Sequence, residues 1–222
     1  MIDPADIELS EFLTRWHGAP LSSEQPLPAE ASWLPAPLRE WHALALQWKK
    51  LRSGANRMSE PSRIQVDLGR AVFMTDATGD WIWAFDSENP DLVYEGSPGA
   101  TLERVPERLP EFLVHLTVTE TITVSESSRI GDQVPNEELP GILSPMQEVG
   151  FGEWQWPRSG YRTYMSDSLI ASVGPAVDPI SPWLNRDGYS SVRIAGVTPS
   201  ALGYLDAVST VEWIEVEFDD EW

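Results

Sequence analysis

The chain has 222 residues, with 35 acidic and 15 basic side chains and a formal net charge of −20. This length suits one large domain, or a domain with an elaborated second half. Cysteine is absent, which excludes disulfides, thiolate zinc sites and cysteine nucleophiles. The first residues carry no basic and apolar leader, and no apolar run could span a bilayer, so we expect a cytoplasmic protein.

The acidic charge is concentrated after residue 70. The first 70 residues hold eight basic and nine acidic side chains, which leaves seven basic and 26 acidic ones in the rest. Such a field repels phosphate backbones and anionic membranes and attracts cationic proteins. We therefore expect a protein partner, and neither direct nucleic-acid binding nor membrane binding. The alternative is that the acidity only keeps the protein soluble.

Two helices are predicted at the start of the chain. Apolar side chains at spacings of three and four predict a short amphipathic helix within residues 6–16. A loop rich in Ser, Glu, Pro and Ala follows over residues 19–32. A second helix is predicted over residues 35–51, with proline near its start and Lys49, Lys50 and Arg52 near its end, where cations favour the helix dipole.

A three-stranded antiparallel meander is predicted next, over residues 71–75, 81–86 and 92–94. Trp81, Trp83 and Phe85 alternate with smaller residues, so one face of the middle strand should be aromatic and packed on a helix. The Asn-Pro pair before the third strand favours a turn. Residues 106–122 are ambiguous, because their first half has helical spacing while their second half alternates and is β-branched.

These motifs resemble the SMI1/KNR4 family, also called the SUKH superfamily, whose bacterial members are mostly immunity proteins of polymorphic toxin systems. The resemblance rests on WIWAFD, SENP and VYEG followed by LPEFLVHL, and on LPAPLREW as the family's first helix. It covers residues 34–124 and departs from the family at residues 52–63, where a glycine-rich segment is usual. It implies an α+β fold with a mixed or antiparallel sheet packed against helices, and it favours a helix over residues 106–122.

The second half is predicted to be rich in loops and then in strands. Residues 125–159 carry many glycines and prolines, with a short helix possible over residues 145–149. Beyond them we expect a hairpin of residues 161–165 and 168–173, a strand over 190–195, a helix over 199–207 capped by Thr198, and a strand over 213–218. These strands could extend the first sheet or form a second one.

The predicted organisation has three parts that complete one unit. An N-terminal helix and linker occupy residues 1–33, the SMI1/KNR4-like core occupies 34–124, and a loop-rich and β-rich subdomain occupies 125–222.

A search for catalytic motifs is negative. The chain has no nucleophile elbow, phosphate loop, zinc-protease motif or dinucleotide fingerprint, and its histidines are isolated at positions 17, 42 and 115. Residues 86–91 have the carboxylate density of a calcium loop but lack its central glycine and distal glutamate, so a turn is favoured. We therefore predict no enzyme activity, no metal site and no cofactor. A hydrolase using a carboxylate pair is the weakest alternative.

The resemblance implies an immunity protein that binds and neutralises a cognate toxin of nuclease or deaminase type, and the acidity of the chain predicts that this toxin is basic. The rival prediction is a regulatory scaffold, as eukaryotic members of the family are. We expect a monomer or weak homodimer. Acidic turns and one aromatic pair are the predicted partner-binding residues, although core packing is the favoured interpretation of the two tryptophans: Asp76, Asp80, Glu88, Asp91, Glu137, Glu138, Trp154 and Trp156.

Overall fold

The computed structural model describes residues 1–22, 27–48 and 56–216 and shows an α+β protein. The chain divides into two compact units. The first comprises Pro4–Val124 with Trp154–Pro157, and the second comprises Met1–Asp3, Ser125–Glu153 and Arg158–Trp222. Within the described ranges, no helix is both long and apolar enough to span a membrane.

In its described residues, the first unit combines three α-helices with an antiparallel sheet. The helices are α1 (Leu9–His17), α2 (Ala36–Ala45) and α3 (Leu109–Val124). The strands are β1 (Asn56–Met58), β2 (Val66–Asp67), β3 (Arg70–Asp76), β4 (Ile82–Asp86), β5 (Leu92–Gly96) and β6 (Glu103–Arg108). Their order is β1-β3-β4-β5-β6, and β2 pairs with β3. Short 3-10 helices occupy Pro4–Asp6, Ala29–Ala31 and Pro61–Arg63.

The predicted meander is confirmed as β3, β4 and β5, which pair in antiparallel register. Trp83 and Phe85 are buried, as their alternation predicts. Phe85 contacts Phe73 on β3, and Phe73 meets Phe112 of α3 edge-on at 5.6 Å between ring centroids. The aromatic face of the sheet therefore packs on α3.

The ambiguous segment forms the helix α3 despite its β-branched residues. Their side chains face a buried environment, and the hydroxyls of Thr117 and Thr121 donate to backbone carbonyls four residues earlier, at 2.7 and 2.9 Å. Trp41 of α2 donates its indole N–H to Thr117 Oγ1 at 2.9 Å. Tertiary packing thus outweighs strand propensity here.

The helix predicted over residues 35–51 ends as an α-helix at Ala45. Lys49, Lys50 and Arg52 lie outside the described residues.

Up to residue 216, where the described part of the chain ends, the second unit has its own antiparallel sheet and one short α-helix, α4 (Leu139–Leu143). Its strands are β7 (Ser128–Pro135), β8 (Gln147–Glu148), β9 (Arg162–Met165), β10 (Leu169–Val177), β11 (Asn185–Gly196) and β12 (Ile214–Val216). The order is β12-β7-β11-β10-β9-β8. The predicted hairpin is confirmed as β9 and β10, and 3-10 helices span Asn136–Glu138 and Pro199–Ala207.

Three details of the second half differ from the predictions. The helix expected over residues 145–149 is wrong, because this segment pairs with β9 as β8 and Val149 N–H donates to Thr163 O at 2.8 Å. The strand β7 lies inside a region predicted to be loop. Thr198 precedes a 3-10 helix without capping it, since its hydroxyl lies 3.0 Å from Ser200 Oγ.

Gly131, one of the glycines that led to the loop prediction for this region, is required by the packing around β7. A Cβ on Gly131 would lie 2.7 Å from Val134 Cγ2, at a point where the register between β7 and β11 shifts. Glycine within a strand often marks such a bulge or close approach. The residue therefore signals a strand irregularity and not a loop.

Candidate functional site

The predicted acidic residues do not form one cluster. Within the first unit, Glu88 and Asp91 follow β4 at one end of the sheet, while Asp76 and Asp80 precede it at the other. A five-residue strand separates these ends by roughly 17 Å. Glu137 and Glu138 belong to the second unit.

Asp76 has a structural role in the turn between β3 and β4. Its side chain is buried, and its carboxylate accepts hydrogen bonds from Trp81 N at 2.9 Å and Thr78 Oγ1 at 2.6 Å. Burial opposes ionisation, but these hydrogen bonds hold the pKa of Asp76 below its ordinary value. Asp80 is exposed and accepts from Thr78 Oγ1 at 2.9 Å. Of this pair, only Asp80 lies on the surface.

Trp154 lies in the core of the first unit. Its ring stacks on Phe112 with centroids 4.6 Å apart, and its indole N–H donates to Glu107 Oε2 at 2.7 Å. Trp156 is half-buried and meets Trp83 edge-on at 5.7 Å. Trp154 is therefore a packing residue and not an exposed binding residue, whereas part of the Trp156 side chain is accessible.

Two buried carboxylates, missed at the sequence level, hold the segment Trp154–Pro157 onto its unit. Glu95 accepts from Trp81 Nε1 at 3.2 Å and from Gln155 N at 2.9 Å. Burial raises the pKa of Glu95, although these donors oppose the shift. Glu107 also lies 2.9 Å from His115 Nδ1. Because donors already occupy these carboxylates, we assign them a structural role. Alternation within β5 and β6 could have indicated their burial.

Glu137 and Glu138 lie on the 3-10 helix that follows β7. Glu137 is exposed, and the half-buried Glu138 accepts from Thr210 Oγ1 at 2.8 Å. Glu137 is therefore the freer of the two for contact with another molecule.

The turn that joins β2 to β3 carries a strained, exposed leucine. Leu68 and Gly69 have φ angles of 47° and 79°, as a type I′ hairpin turn requires, and this turn prefers Asn-Gly. A leucine in this conformation is unfavourable by about 1 kcal/mol or more. Its side chain is nonetheless 96% exposed. Packing within the protein therefore does not explain leucine at this position.

Carboxylates lie on the turn that carries this leucine and on the neighbouring turn at the same end of the sheet. Asp67 precedes it, and Ser87 ties the neighbouring turn to it by donating from N and Oγ to Gly69 O at 2.9 and 3.0 Å. Asp86 Oδ1 accepts from the backbone N–H of Glu88 and of the next residue, both at 2.9 Å, which forms an Asx turn where a calcium loop was considered. We call Val66, Asp67, Leu68, Asp86 and Glu88 the acidic tip.

Basic side chains near the acidic tip have partners of their own. Arg108 forms an exposed ion pair with Asp91, which partly neutralises that predicted binding residue. The guanidinium of Arg70 stacks over the Tyr94 ring, 3.8 Å from its centroid. Glu88 and Asp67 are both exposed and remain the carboxylates best placed to meet a cationic surface.

Comparison of the chain with protein-family models, curated proteins and solved structures gave no match. The similarity to the SMI1/KNR4 family therefore rests on the sequence motifs alone.

Proposed function

We propose that this protein is an immunity protein that neutralises a basic protein toxin of nuclease or deaminase type by binding it, without chemical turnover. The observation that carries the proposal is Leu68, an apolar side chain held exposed in an unfavourable conformation among carboxylates. The family resemblance supplies the kind of partner.

The acidic tip has the composition of a small binding surface. A few central side chains contribute most of the energy of an interface, and the contacts around them exclude water. Val66 and Leu68 are 49% and 96% exposed and can act as an apolar anchor of this kind. Strained residues are retained where function requires them. The position of Leu68 at a turn therefore supports a role in recognition.

The surrounding charge supports a cationic partner. Asp67 and Glu88 flank the anchor, and the whole chain has a net charge of −20. Complementary fields raise association rates and fade with salt, since screening acts over roughly 8 Å at physiological ionic strength. A nuclease that grips phosphate would present the matching basic surface.

The test is the association rate with the toxin encoded beside the gene, measured across a salt series. We expect Asp67→Asn with Glu88→Gln to slow association and to flatten its salt dependence, and Leu68→Ser to speed dissociation. The matched control is Asp187→Asn with Glu212→Gln, which removes the same charge from exposed positions of the second unit that are not among the predicted binding residues, and it should change binding less.

Two results would count against the proposal. If the association and dissociation rates change neither with salt nor with any of these substitutions, the acidity serves only solubility. The interface should then be sought around Trp156. Binding that leaves the toxin fully active would favour a regulatory scaffold over an immunity protein.

A further inference from the structure

A groove of about 370 Å³ lies in the first unit, where α1, α2 and α3 meet. Residues 7–10 at the start of α1 line one side, α2 lines a second, and the first turns of α3 line the third. This volume is near the lower end of the range for small-molecule sites. The groove therefore has room for one side chain and not for an extended segment of a partner.

The floor of the groove is apolar and still partly accessible. Five apolar side chains from its three sides are only half-buried: Ile7, Leu9, Pro37, Leu44 and Val114. Two further lining residues, Trp41 and Leu113, are buried. An aliphatic chain laid on this floor would remove apolar surface from water, which is favourable.

The described lining residues carry negative charge and no positive charge. Glu8 and Glu40 are both exposed, and no described residue forms an ion pair or a hydrogen bond with either carboxylate. Glu8 precedes α1, but its side chain makes no capping hydrogen bond. The other polar lining residues, Ser10 and Gln47, are uncharged. Two carboxylates beside an apolar floor favour a ligand that joins an aliphatic part to a cation.

We propose that this groove receives a lysine or arginine side chain of a cationic protein partner. The stem of such a side chain covers apolar surface while its charged end stays in water, here beside Glu8 and Glu40. The net charge of −20 attracts cationic proteins to the chain as a whole. The groove shares no residue with the acidic tip, so the inference holds whether or not the partner is a toxin.

The experiment is an NMR titration of the full-length protein with two blocked peptides. One is acetyl-Gly-Gly-Lys-Gly-Gly-amide, and the other has norleucine in place of lysine, which keeps the aliphatic stem and removes the ammonium group. We expect the lysine peptide to shift the amide signals of the groove residues. It should bind roughly fivefold more tightly than the norleucine peptide, since exposed ion pairs contribute modestly to affinity.

Three variants separate this contact from general attraction between charges. In Glu8→Gln with Glu40→Gln, the two affinities should become equal. The matched control, Asp187→Asn with Glu212→Gln, removes the same charge from exposed positions of the second unit and should keep the preference for lysine. Leu44→Ser takes apolar surface from the floor and should weaken the binding of both peptides.

Three results would each overturn the proposal. The first is equal or tighter binding of the norleucine peptide to the wild type, which would make the groove a site for an apolar ligand. The second is a preference for lysine that survives Glu8→Gln with Glu40→Gln. The third is binding of n-butylammonium without binding of the lysine peptide, which would mean that the groove admits only small amines.

Discussion

Replacing Trp83 with alanine should remove a central part of the first unit's core. Trp83 is 0% exposed and contacts Trp154 and Trp156, with centroids 6.1 and 5.7 Å away. A buried tryptophan removes roughly 150–250 Å² from water, equivalent to about 4–6 kcal/mol at ~25 cal/mol/Å². This free energy of burial is then reduced by the contribution of the polar indole N–H.

The indole N–H of Trp83 has no hydrogen-bond partner within the part of the chain that the structure describes. It lies near enough to Glu95 to help lower that carboxyl's pKa, but it does not reach hydrogen-bond geometry. Truncation removes this unsatisfied group, which offsets about 1 kcal/mol of the loss. The expected cost of Trp83→Ala is then about 3–5 kcal/mol, in the range of other core truncations of tryptophan.

The loss of unfolding free energy in the first unit is measured by unfolding the protein in urea and monitoring hydrogen exchange of the β4 amides. Trp183→Ala is the matched control, because Trp183 is 76% exposed in the second unit and should change stability by less than about 0.5 kcal/mol. A loss below about 1 kcal/mol for Trp83→Ala, or one equal to that of the control, would refute the packing argument. A stable Trp83→Ala protein that had lost only its partner would instead make this ring a recognition element.

Two further predictions concern His42 and Leu68. Burial lowers the pKa of His42 from 6.5 to about 4, so its contribution to stability should be fully present above pH 6.5 and be lost as the pH falls toward 4. The loss of unfolding free energy should approach ~3 kcal/mol. The unfolding free energy of His42→Leu should therefore depend less on pH between 6.5 and 4 than that of the wild type. An equal pH dependence in the two proteins would contradict the burial argument. Leu68→Asn should raise the unfolding free energy by about 0.5–1 kcal/mol, because asparagine tolerates positive φ, while weakening partner binding. A less stable Leu68→Asn protein, measured by urea unfolding, would show that leucine is not strained there.

The meander of β3, β4 and β5 was predictable because its information is local. Alternation around Trp83 assigns one face to the core, and the Asn-Pro turn ends the strand before β5. The β9–β10 hairpin has the same kind of signal. Such patterns depend on neighbours within a few residues, so the sequence alone contains them.

The candidate site needed the tertiary structure. Asp76, Asp80, Glu88 and Asp91 look alike as acidic turn residues, yet Asp76 is buried, Asp91 pairs with Arg108, and the rest divide between two ends of the sheet. Sequence spacing does not encode which turns meet or which carboxylates find donors.

By itself, the sequence determined the large negative charge, the absence of thiol chemistry and the apolar periodicities that define most strands and helices. Only the tertiary structure decided between helix and strand for the residues of α3, and only it showed that β7 is a strand. It also showed that Leu68 is exposed and has a positive φ angle. The physical reason is that local propensities differ by about 1 kcal/mol or less per residue. Burial of a large side chain, or the pairing of a strand with a distant one, outweighs them.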